Sequence, residues 1–166
     1  MNKTSWTIQY EVYKNDEELP EPDRELLAAA KTALEKAYAP YSKFHVGAAI
    51  RLDNHAIVCG TNIENASYPL CLCAEPSALA AAKSAFPENW PLAMAISVKN
   101  MAKSSPVIDI PGMPCGACRQ ILSEAEDRFG RPIRLILQGE AGETWVFASA
   151  KDILPFAFSG AFLGEK

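Results

Sequence analysis

Cys73-Ala74-Glu75-Pro76, running into the alanine-rich stretch Ser77 to Ala85, and Pro114-Cys115-Gly116-Ala117-Cys118 are the segments on which the reading of this chain turns. Ala74 to Ala85 holds no helix breaker after Pro76, so the pattern predicts a helix beginning beside Cys73. The proline falls in its first turn, where a missing N–H costs little. A second helix is expected to start near Cys115 and to bury Ile121, Leu122, Ala125 and Phe129 until Gly130 and Pro132 stop it. Both cysteine clusters therefore fall at helix starts, where backbone N–H groups and the positive end of the helix dipole stabilise thiolates.

Around these two helices the chain alternates between strand and helix patterns. Trp6, Ile8, Tyr10 and Val12 alternate with polar residues, which predicts a half-buried edge strand. Asn15 to Pro22 is read as a solvated connection whose acids Asp16, Glu17 and Glu18 have no assigned role. Asp23 is the expected N-cap of a helix from Arg24 to Tyr38, with Leu27, Ala30, Leu34, Ala37 and Tyr38 on its buried face. Val46–Leu52 and Ala56–Cys59 flank Asp53-Asn54 as a hairpin, and Leu92–Val98, Ile133–Leu137 and Thr144–Ala148 complete the strands. Met101 to Pro114, with its prolines and glycine, should be loop. The order strand, helix, hairpin, helix, strand, helix, strand, strand predicts an α/β fold with a mixed sheet covered by helices.

The cysteine pattern implies metal chemistry. Zinc takes four tetrahedral ligands, and a catalytic site leaves one of them to water or substrate. Cys73, Cys115 and Cys118 supply three, and Glu75, two residues after a ligand, can reach the open position without binding the metal. A carboxylate so placed has the general acid and base role, whereas a structural zinc site gives it no task. Cys59 and Cys71 are read as small buried hydrophobes, and His45 and His55 as a strand and a turn residue outside the metal site.

Composition narrows the partners. With 166 residues, 49% of them hydrophobic, the chain can bury one sizeable core. A formal net charge of -4 argues against a polynucleotide partner, and no apolar run approaches the roughly 18 residues of a membrane span. An odd number of cysteines and the lack of a charged-then-apolar leader lead us to expect a reducing cytoplasm. The tail after Lys151 carries Phe156, Phe158 and Phe162, which should be covered by the core or by a partner chain.

Four motifs in order resemble the small homotetrameric cytidine deaminases of pyrimidine salvage: Ala39-Pro40-Tyr41-Ser42-Lys43-Phe44-His45-Val46-Gly47-Ala48-Ala49, Asn62-Ile63-Glu64-Asn65-Ala66-Ser67-Tyr68, Cys73-Ala74-Glu75 and Pro114-Cys115-Gly116-Ala117-Cys118-Arg119-Gln120. The zinc-deaminase signature is a general one. The resemblance implies a three-layer α/β/α fold with a mixed five-stranded sheet, helices on both faces and an extra N-terminal strand. Residues 1–22 would be an extension with that edge strand and 23–166 the catalytic domain. It further implies one Zn2+ per subunit on Cys73, Cys115 and Cys118 with water or hydroxide as fourth ligand, Glu75 as proton shuttle, and Phe44, Asn62, Glu64, Ala74 and Phe158 as nucleoside-binding residues. Asn62 and Glu64 match the pair that binds the ribose hydroxyl, and Phe158 matches a tail aromatic that enters a neighbouring subunit's site.

Two features depart from that pattern. Pro76 stands where the family usually has an arginine that offsets thiolate charge, leaving Lys83, Lys103 and Arg119 as candidate replacements. The 42 positions from Cys73 to Cys115 exceed the family spacing, with the excess expected between Met101 and Gly112 as a wall of the site mouth or a subunit contact. The rival readings are a deaminase of another aminopyrimidine nucleoside such as blasticidin S, a polynucleotide editor, and a zinc-stabilised interaction module with a fourth protein ligand.

Overall fold

Strand alternation sorts the apolar residues onto two faces, and the helices follow. The computed structural model describes residues 1–102 and 105–164. Its strands are β1 (Glu11–Tyr13), β2 (Phe44–Leu52), β3 (Ile57–Thr61), β4 (Pro91–Asn100), β5 (Arg134–Gln138) and β6 (Thr144–Phe147). The helices are α1 (Glu21–Leu34), α2 (Ala74–Ala85) and α3 (Gly116–Phe129). One six-stranded sheet runs in the order β1-β6-β5-β4-β2-β3, with β4 and β5 parallel and the other neighbours antiparallel. This is the mixed five-stranded sheet of the expected α/β fold with the N-terminal strand added at its edge.

On one face Ala48, Ile50, Met94, Ile96, Leu135 and Leu137 pack with Ala74, Ala78 and Ala82 of α2 and Leu122 of α3. On the other, Ala49, Ala95, Ile136 and Val146 meet Leu26, Leu27 and Ala30 of α1. Successive residues of β2, β4 and β5 thus face opposite layers, as the period of two requires. Two glycines allow the helices to close in. A Cβ at Gly47 would stand 2.1 Å from the Ala30 carbonyl oxygen, and one at Gly60 would stand 2.3 Å from the Ala78 nitrogen and 2.6 Å from the Ala74 oxygen. The second contact seats the first turn of α2 on β3 and so fixes where Cys73 lies.

Several expectations are corrected. The N-terminal strand is three residues long, and Trp6, Ile8, Tyr10 and Val12 are exposed. Its ladder with β6 runs from Tyr13 opposite Thr144 to Glu11 opposite Val146. Upstream, Tyr10 packs on Trp145 at 4.8 Å and on Phe147 at 5.2 Å, and Trp6 on Phe156 at 5.5 Å. Helix α1 starts at Glu21 after Pro20. Asp23 is not its cap but an inward residue paired with Arg134 at 2.9 Å, and Ala37 and Tyr38 lie past the helix end. Ile121 is exposed and Phe129 half-buried, because Ser123 and Glu126 take the inner face of α3. The Glu126 carboxylate accepts hydrogen bonds from Ile133 N, Ala150 N and Ser149 Oγ, joining α3 to the start of β5 and to the turn Ala150–Ile153. The charge run is anchored, with Asp16 bonded to Lys31 and Gln138. Cys59 and Cys71 are exposed, not buried.

Candidate active site

The chain brings its three candidate metal-ligating side chains together by starting two helices at one place. Cys73 is the N-cap of α2 and Cys115 the N-cap of α3, and neither side chain is used in a capping hydrogen bond. Cys118 follows in the first turn of α3, buried at 1% exposure. The three sulfurs lie within 4.8 Å of one another, with 3.3 Å between those of Cys115 and Cys118. Four ligands placed tetrahedrally about 2.3 Å from zinc stand about 3.8 Å apart, so sub-ångström shifts of these sulfurs would close them around one ion. Three soft sulfur donors at helix N-termini fit zinc. A hydrogen bond from Cys118 lowers the Cys73 thiol to about 6, and the same bond pushes Cys118 up.

Glu75, in the first turn of α2, is 4% exposed, and burial raises its carboxyl above the ordinary carboxylate range. A carboxyl so placed holds a proton nearer neutral pH than a solvated one does. It opens on a cavity of about 410 Å³ lined also by Cys73, Ala74, Cys115, Phe44, Asn62 and Glu64. One chamber therefore unites seven of the nine residues singled out in the sequence, with the Cys118 sulfur joining through the sulfur cluster. Phe158 does not line it. That residue is exposed, stacks on Phe162 at 5.7 Å, and has its carbonyl held by Gln120 Nε2 at 2.8 Å.

In the same chamber, backbone bonds hold the polar pair. Asn62 Oδ1 accepts from Val46 N at 2.8 Å and its Nδ2 donates to the Phe44 carbonyl at 2.8 Å, fastening the segment after β3 to the start of β2. One Glu64 oxygen accepts from Tyr41 N at 2.8 Å and Ser42 N at 3.2 Å. The Ser42 side chain, followed by these two amides, lowers the Glu64 carboxyl below the usual range. Each side chain keeps hydrogen-bonding capacity to spare: Asn62 one amide proton, Glu64 at least one carboxylate lone pair.

The long loop contributes to the same chamber. Gly112 and Met113 form part of its wall, as do Ser42, Cys71 and Leu72. Met101 N is bonded to the Lys43 carbonyl, and the Ile108 carbonyl accepts from Glu140 N and Ala141 N, so the loop is tied at Met101 and again at Ile108. Sequence reading missed Met113, whose position one residue before Pro114-Cys115 was the available signal, and misjudged Cys71, which faces this cavity. Of the candidate cations, Lys83 bonds the Pro87 carbonyl at the far end of α2, and Lys103 lies outside the described residues.

Comparison with known proteins agrees with this geometry. Residues 20–129 match the family model described as the cytidine and deoxycytidylate deaminase zinc-binding region. A cytidine deaminase of Halalkalibacterium halodurans is 39% identical over 86% of this chain and 99% of its own length. One from Sporosarcina psychrophila is 40% identical over 81% of this chain and 89% of its own. Among solved structures, the cytidine deaminase of Burkholderia pseudomallei superposes with a TM-score of 0.67 at 41% identity, covering 81% of this chain and 97% of that one. That of Mycobacterium tuberculosis gives 0.59 at 33% identity, covering 81% and 94%. The matched region spans α1 through α3 and so contains both cysteine clusters, Glu75 and the Asn62–Glu64 pair; this chain belongs to the zinc-binding cytidine and deoxycytidylate deaminase family.

Proposed function

We propose that this protein is a hydrolase acting on the C–N bond of a cyclic amidine, converting cytidine or deoxycytidine and water to uridine or deoxyuridine and ammonia. The observation that carries this reading is the buried Glu75 carboxyl beside three sulfurs in a chamber that also holds Asn62 and Glu64. Cys73, Cys115 and Cys118 would hold the zinc, which when bound supplies the Lewis acidity that makes water a nucleophile at neutral pH. Glu75 takes the proton of the attacking water, passes it to the ring nitrogen next to the reacting carbon, and then moves a second proton to the departing amine. Phe44 and Ala74 flank the base. The spare amide proton of Asn62 and the spare acceptor capacity of Glu64 bind the sugar hydroxyl, so a nucleoside without it would leave these polar groups unpaired.

The substrate is a free nucleoside rather than a polynucleotide, in keeping with the acidic net charge, and among the described residues no helix is long and apolar enough to cross a membrane. The catalytic unit begins with α1 at Glu21 rather than at residue 23, which lies inside that helix, and the residues before it form the extension. The exposure of Phe156, Phe158 and Phe162 supports a homotetramer in which Phe158 enters a neighbour's site, in a cytoplasmic setting that keeps the thiols reduced. The test is ammonia release from cytidine, deoxycytidine, cytosine and blasticidin S in parallel. Turnover of the first two is the expected result, and turnover of blasticidin S alone would reassign the substrate.

A further inference from the structure

Three thiolates and one divalent ion sum to a net charge of -1, and a partly buried charge of that kind is costly unless something offsets it. Pro76, next to Glu75, carries none and faces the groove between α2 and α3. Lys83 is ten residues along α2 from Cys73, about 15 Å at the helical rise. Arg119 is different. It directly follows Cys118, and its side chain folds back so that Nε donates to the Pro114 carbonyl at 2.9 Å and Nη1 to the Ile153 carbonyl at 3.0 Å.

Two consequences follow from that geometry. The Pro114 carbonyl belongs to the peptide group leading into Cys115, and the backbone N of Arg119 bonds the Cys115 carbonyl at 3.0 Å. Arg119 thus grips the peptide groups on both sides of Cys115. Its side-chain partners are neutral carbonyls, and among the described residues no carboxylate lies within ion-pair distance of its guanidinium, so its positive charge is not cancelled. We propose that Arg119 is the positioning residue of the metal site: its guanidinium fixes the turn at Cys115 by holding the Pro114 carbonyl against that of Ile153. The inference rests on Cys73, Cys115 and Cys118 being the ligands.

The planar fork of arginine is what lets one side chain hold two carbonyls at once; lysine keeps the charge but not the fork. Partners that orient metal ligands typically change metal affinity 10–100-fold when removed. Zinc affinity, measured by chelator competition on protein whose fold is checked by circular dichroism, should fall by about that factor in Arg119→Met, with Arg119→Lys between Met and parent. In the cobalt-substituted protein the sulfur-to-metal absorption should shift in Arg119→Met. Gln120→Ala, which releases only the Phe158 carbonyl, should bind zinc as the parent does. Arg119→Met binding zinc within twofold of the parent overturns the proposal, as does Gln120→Ala weakening zinc as much as Arg119→Met. Should Arg119→Met fail to fold, Arg119→Lys decides, and parent-like affinity there overturns it. A parent that binds no zinc would instead sink the ligand assignment itself.

Discussion

Replacing Gly60 by alanine tests how the sheet places the site. The added carbon would sit 2.3 Å from Ala78 N, 2.6 Å from the Ala74 oxygen and 2.8 Å from the Ala78 Cα, all backbone atoms of α2 that cannot swing aside. Ordinary van der Waals contact begins near 3.4 Å, so α2 must retreat from β3 by about 1.1 Å, the difference between 3.4 and 2.3 Å. Overpacking of that kind costs about 1–3 kcal/mol. The same displacement moves Cys73 and Glu75 at the head of α2, and an ångström of misplacement costs about a hundredfold in rate. Thermal melts, zinc titration and steady-state deamination of cytidine should therefore show a lowered Tm, weakened zinc binding and a kcat/KM down by about two orders of magnitude. A Gly60→Ala protein with parent-like kcat/KM and zinc affinity would refute the claim that this contact positions the metal site.

Glu75→Gln keeps the shape of a buried side chain while removing its proton transfer, so kcat should fall by about 10²–10⁴ with zinc content retained, as kinetics and elemental analysis would show. Asn62→Ala strips partners from Val46 N–H and the Phe44 carbonyl, at about 1–3 kcal/mol for each group left unpaired; a lower Tm together with a raised KM is expected. The Arg134 hydrogen bond, the largest cause, lowers the Glu11 carboxyl below its ordinary 4.5. A depressed carboxylate stabilises the fold above the unfolded value and loses that contribution as pH falls through the folded one. The Tm difference between parent and Glu11→Gln should therefore be small but present at neutral pH, shrink below pH 4.5, and diminish in high salt.

Much of this structure was legible before any coordinates because the helices carry their own punctuation. Ala74–Ala85 has the bounds its alanine run and Pro76 imply, and α3 ends at Phe129, before Gly130. The element order and the hairpin followed from alternation and from Asp53-Asn54. What failed depended on partners remote in sequence. The bounds of β1 depend on its pairing with β6, and the burial of Asp23 on Arg134, more than a hundred residues away. Ile121 looked like core because helical spacing does not say which face meets the sheet; the bonds of Glu126 decide that. In the site, the residue types with metal chemistry announced themselves, while wall residues such as Met113 reach the chamber only through the path of the loop. Phe158 does not line this chain's own chamber.

The central claim is that three sulfurs hold one zinc ion beside Glu75. The most direct measurement is zinc content and ammonia release from cytidine, made on the parent and on Cys73→Ser, Cys115→Ser and Cys118→Ser. The account predicts one zinc per chain with turnover in the parent, and loss of both in each variant. A serine variant that keeps stoichiometric zinc and full turnover, or a parent that deaminates cytidine with its zinc removed, would contradict it.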